Sequence, residues 1–193
     1  PIGICLNYIE LLNRKVTEEE NRDKISKVKS ELHRIAEVIE SLLSFSRIKT
    51  VTRQRVHLNK LIDEVVILME HMLNNKSIKL TVQHFPSEIY VLGDENHLKQ
   101  VLINLIKNSI ESILQVGHIS IETEIRNADH TVELRIVDDG SGIPDEMKSR
   151  IFDPFVSTKL SKQNTGLGLS IFQHIMEAHD GLIECRDAEH TTM

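Results

Sequence analysis

Two carboxamides stand four residues apart in Asn104-Leu-Ile-Lys-Asn108, with Lys107 beside the second and Glu111 one turn on. At that spacing they share one face of a helix. A carboxamide oxygen is a hard donor suited to Mg2+, which prefers oxygen ligands and keeps several waters. The competing reading is a polar stripe turned to solvent. A second group, Asp138-Asp-Gly-Ser-Gly142-Ile-Pro, follows the run Val132 to Val137. A carboxylate there can accept a hydrogen bond from an exocyclic amine, and Gly140 and Gly142 let the backbone approach a ligand closely. An ordinary strand-to-helix turn, with Pro144 opening the helix, accounts for the same residues. A third group, Asn164-Thr-Gly166-Leu-Gly168-Leu-Ser170, leads into a helix-compatible stretch, whose N-terminal N–H groups would suit a phosphate. It lacks the Gly-Lys-Ser/Thr of a P-loop and does not follow a strand as a dinucleotide-binding turn does. Ahead of it, Ser157, Thr158, Lys159, Ser161 and Lys162 make a polar, basic loop with the profile of a lid.

The elements that must position these groups alternate in type. The asparagines fall on a long helix, Glu95 to Leu114, whose remaining faces carry Leu98, Val101, Leu102, Leu105 and Ile106. Around it the patterns predict a helix at 59–74, strands at 78–84, 89–92, 117–126 and 131–138, a short helix at 144–151, a helix at 167–179 and a strand at 182–186. The alternation Ile119-Ser-Ile-Glu-Thr-Glu-Ile125 predicts a sheet with one face under helices and the other more open. Thr50 to Arg55 reads as a linker. Before it, Ile25, Val28, Leu32, Ile35, Ile39 and Leu42 step by three and four along a helix from Glu18 to about Ile48. Leu6, Ile9, Leu12 and Val16 mark a second helix about half as long, so that the far end of the longer helix calls for more helix ahead of Pro1. The class is α+β: an N-terminal helical hairpin, then a sheet-and-helix sandwich.

Composition sets outer bounds. Of 193 residues 40% are hydrophobic and 27% charged, enough for a core and too ordered in kind for global disorder. A net charge of −6 with scattered Lys and Arg argues against bulk binding to nucleic acid. No apolar run approaches the roughly 20 residues of a membrane span, so no direct membrane contact is expected of this segment. Cys5 and Cys185 stand alone, and the ten histidines show no ligand spacing, which points away from zinc and toward a reducing, cytoplasmic setting.

Together and in this order, Asn104-x-x-x-Asn108, Asp138-x-Gly140-x-Gly142, Phe152-x-x-Phe155 and Thr165-Gly166-Leu167-Gly168-Leu169 resemble the asparagine, first glycine, phenylalanine and second glycine boxes of the sensor histidine kinase ATP-binding domain. That domain has the Bergerat-type α/β sandwich shared with gyrase, Hsp90 and MutL. The resemblance implies a partial dimerisation and histidine-phosphotransfer hairpin at 1–49, paired in a homodimeric four-helix bundle, a linker at 50–55, and an ATP-binding catalytic domain at 56–193 without its last strand. It also implies ATP and Mg2+ as cofactors and a response-regulator receiver domain as partner. By the same resemblance, Asn108 would coordinate Mg2+ and Asn104 would help position the γ-phosphate, while Asp138 would select adenine through its amino group. Gly140 and Gly142 would shape the pocket, and Gly166 and Gly168, with Thr165 and Leu167 in the same box, would meet the phosphates, joined by Lys107, Thr158 and Lys159. The acceptor histidine is expected just ahead of Pro1, and Asn164 replaces the glycine that usually opens the second glycine box. Two rivals are a clamp ATPase of the same superfamily, which would carry a glutamate base where this chain has Asn104, and a degenerate dimeric scaffold.

Overall fold

The computed structural model describes residues 2–16, 19–47, 51–126, 131–156 and 166–186. Two compact units emerge, Pro1–Ile48 with Arg150–Ile171, and Lys49–Ser149 with Phe172–Met193. The first boundary lies beside the linker expected at 50–55. Arg150–Ile171 is grouped in the first of these units.

In the first unit, α1 (Ile2–Lys15) and α2 (Glu19–Arg47) form where three-and-four spacing predicts helices. The 29 residues of α2 span roughly 44 Å at 1.5 Å each. Arg22 Nε donates to the carbonyl of Val16 at 2.9 Å, and Lys29 lies 3.6 Å from the Glu10 carboxylate, so the two helices meet side to side. Val28, Ile35 and Ile39 on α2 and Ile4, Tyr8, Leu11 and Leu12 on α1 remain exposed. Among the described residues, no helix is long and apolar enough to cross a membrane.

The second unit holds two sheets. Strand β1 (Gln54–His57) pairs antiparallel with β3 (Tyr90–Gly93). Strand β2 (Ile78–Gln83) runs parallel to β4 (Gly117–Arg126), which pairs antiparallel with β5 (Thr131–Asp138). Parallel pairing needs a crossover, and the segment between β2 and β4 supplies it with β3 and α4 (Glu95–Ser112). Helix α3 (Leu58–Asn75) buries Leu58, Leu61, Ile62, Val65, Met69 and Leu73 on one face, in one core with Ile106 and Ile110 of α4 and Ile119 and Ile121 of β4. The predicted alternation holds: Ile119, Ile121 and Thr123 are buried while Glu124 is exposed.

Several expectations need correction. Gln54 and Arg55, read as linker, belong to β1, a strand with one buried apolar residue, Val56, and so no visible alternation; pairing with β3 makes it a strand. Residues 182–186 are irregular and pair in register with no strand among the described residues. The short helix at 144–151 is confined to α5 (Asp145–Lys148), and the helix 168–178 is α6 (Gly168–Ala178). Helix α4 stops two residues early, at Ser112: Ile113 turns extended, and Lys76 Nζ donates to the carbonyls of Ile110 at 2.8 Å and Ile113 at 3.1 Å.

Candidate nucleotide site

Helix α4 is held at its start as firmly as at its end. Asp94 is its N-cap, accepting from the N–H of Asn96 at 3.0 Å and of His97 at 3.2 Å. Burial pushes the Asp94 carboxyl up, but the N–H and charge of His97, with the N–H groups of Thr52 and Asn96, outweigh it and hold the group below its ordinary 3.8. The N–H of Asp94 donates in turn to His179 Nε2 at 2.9 Å, and His179 Nδ1 lies 2.7 Å from the carbonyl of Ile175, which settles the ring's proton on Nδ1.

On the helix so anchored, Asn104, Lys107 and Asn108 are all half-buried. Asn104 Nδ2 donates to the carbonyl of Gln100 at 2.9 Å, which aims its oxygen away from its own helix turn. Lys107 has no ion-pair partner among the described residues. Further steps of four carry the same face from Asn104 and Asn108 to Ser112. There it meets the end of β5: Ser112 Oγ lies 2.8 Å from Asp138 Oδ1, and the N–H of Gly140 donates to that same oxygen at 3.1 Å. Asp138 Oδ2 is bonded to none of the described residues. Gly140 is required by space, since a Cβ there would sit 2.0 Å from Ser112 Oγ. Gly142 is exposed with φ of +68°.

The other unit carries the second glycine group. The carbonyl of Gly166 accepts the N–H of Phe155 at 2.9 Å. Gly166 takes φ of +67°, and a Cβ there would lie 2.6 Å from the Phe155 carbonyl carbon, so only glycine fits. Leu167 is buried and Gly168 opens α6. Thr158, Lys159, Asn164 and Thr165 lie outside the described residues.

The structure therefore gathers Asn104, Lys107, Asn108, Asp138 and Gly140 around α4 and the end of β5. Sequence reasoning missed Ser112, although its spacing of four from Asn108 signalled it, and His57, whose Nδ1 accepts the N–H of Lys60 at 3.1 Å and caps α3. A cavity of about 220 Å³ at the other end of the sheet, lined by His84, Phe85, Glu122, Glu124, Glu133 and Arg135 among others, contains none of the gathered residues. Among the described residues no group of three or more His, Cys, Asp or Glu could hold a metal ion. The carboxamide oxygens of Asn104 and Asn108 are hard donors of the type that Mg2+ accepts.

Fold and site define an ATP-binding domain of mixed α/β type. Residues 93–193 match the histidine kinase-, DNA gyrase B- and HSP90-like ATPases, and the chain belongs to that family. Within it the chain is 36% identical over 184 residues to sporulation kinase A of Bacillus subtilis, covering 95% of this chain and 29% of that protein. It is 32% identical to the signal transduction histidine-protein kinase AtoS of Escherichia coli, covering 94% of this chain and again 29% of the relative. Histidine kinase ThkA, solved in complex with the response regulator protein TrrA, superposes with a TM-score of 0.70 at 30% identity, covering 93% of this chain and 50% of that one. The chain thus spans under a third of the length of these two curated relatives.

Proposed function

We propose that this chain is the ATP-binding and phosphotransfer part of a protein-histidine kinase in a two-component system, acting in the cytoplasm. One observation carries the reading: α4 presents Asn104 and Asn108 on the face that ends at Asp138, a carboxylate with one oxygen engaged and the other without a bond from the described residues. Asp138 would accept the adenine amino group. Asn108 would bind Mg2+ through its carboxamide oxygen, Asn104 would position the γ-phosphate, and Lys107 would add a positive charge. When bound, the metal neutralises phosphate charge, so the protein's share is orientation. Gly142, Thr158, Lys159, and Thr165 to Gly168 keep the phosphate and pocket contacts that the resemblance gives them.

The γ-phosphoryl would pass to an acceptor histidine, and from there to an aspartate of a response-regulator receiver domain. The ThkA pairing with TrrA supports that partner. Helices α1 and α2 serve as the dimerisation hairpin of residues 1–49, and their exposed apolar side chains support a homodimeric four-helix bundle. The linker at 50–55 and catalytic domain at 56–193 complete the division. Incubating the protein, acceptor segment included, with γ-labelled ATP and Mg2+ is expected to yield acid-labile, base-stable protein phosphate that a receiver domain removes. Steady phosphate release without that intermediate points to the clamp ATPase instead, and no ATP binding at all to the scaffold.

A further inference from the structure

Ser112 ends α4 and grips the turn after β5 twice. Its carbonyl accepts the N–H of Ser141 at 3.3 Å, and its hydroxyl reaches both Asp138 Oδ1 at 2.8 Å and the carbonyl of Ser109 at 2.7 Å. A hydroxyl has a single hydrogen to give, and a carboxylate is a stronger acceptor than a carbonyl. With Gly140 N–H aimed at the same Oδ1 from 3.1 Å, two donors converge on one oxygen. The carboxyl plane cannot turn without losing one of them, and Oδ2 is left pointing elsewhere with no bond from the described residues. The space over Gly140 is filled by this same hydroxyl, 2.0 Å from where a Cβ would stand.

We infer that Ser112 is a specificity-determining positioning residue, holding the Asp138 carboxylate so that Oδ2 accepts the exocyclic amine of the purine. The inference rests on Asp138 being the base-selecting group, and adds that selection depends on a hydroxyl that does not itself touch the base. A Ser112 that merely ties α4 to the turn would affect every nucleotide equally. A Ser112 that orients Asp138 would affect only nucleotides carrying the amine, because a purine without it makes no bond to Oδ2.

The test is calorimetric binding of ATP and of purine riboside triphosphate, which lacks the 6-amino group, to this chain and to Ser112→Ala in Mg2+ buffer. Wild type is expected to prefer ATP. Ser112→Ala is expected to lose roughly ten-fold on ATP and no more than about two-fold on the analogue, the size of a hydrogen bond to a charged group. Equal losses on both, or no loss on ATP, overturn the inference while the wild-type preference leaves Asp138 in its role. A wild type without preference overturns the reading of Asp138 and the inference with it. Should Ser112→Ala fail to fold by circular dichroism, Ser112→Cys, similar in shape but a weak donor, takes its place with the same expected pattern.

Discussion

Asp94 and Gly140 show how single residues set up the site. Asp94 caps α4 through two N–H groups, and its carboxyl is held below the ordinary value. A carboxylate lowered in the folded state stabilises above its unfolded pKa and loses that contribution as pH falls through the folded value. Asp94→Ala should therefore cost about 1 kcal/mol at neutral pH, and the gap from wild type should close as urea unfolding is repeated down through pH 3.8 and below. Gly140→Ala places a methyl 2.0 Å from Ser112 Oγ and should cost ~1–3 kcal/mol with a matching loss of ATP affinity, read by denaturant midpoint and calorimetry. The acid and amide positions were legible in the sequence because their chemistry is written in residue type and spacing. The hydroxyl that orients Asp138 was legible only as a position four residues on from Asn108, since nothing local to it announces a partner 26 positions away.

Helix α4 is the element on which the site is built, and its two ends are fixed by side chains remote in sequence. His179 takes the N–H of Asp94 at the start, and Lys76 takes two carbonyls at the finish. A cation at a helix C-terminus also meets the favourable end of the dipole. Lys76→Met keeps the aliphatic stem and removes the donor, so it should lower stability by about 1–2 kcal/mol, measured as a drop in urea midpoint at unchanged slope. The existence of α4 followed from Leu98, Val101, Leu102, Leu105 and Ile106. Its end at Ser112 did not, because Leu114, apolar and helix-compatible, continues the pattern while in the fold it is 88% exposed. Strand β1 escapes a local reading because a strand is completed by its neighbour, which local alternation does not reveal.

At the scale of the molecule, the exposed apolar side chains of α1 and α2 carry the prediction. Val28, Ile35 and Ile39 are about half exposed, an unfavourable arrangement that a second copy would relieve. Ile35→Asp with Ile39→Asp should convert the proposed dimer to a monomer in sedimentation equilibrium, leaving ATP affinity within about two-fold because the nucleotide residues lie elsewhere; an unchanged dimer would remove these helices as its interface. The helices, the period-two strands and the three nucleotide-type groups were determined by the sequence alone, since each is a local matter of spacing and chemistry. The tertiary structure decided which oxygen of Asp138 is engaged by Ser112 and Gly140, where α4 ends and which strands pair. Those outcomes depend on partners such as Ser112, Lys76 and β3 that only folding brings within hydrogen-bonding distance.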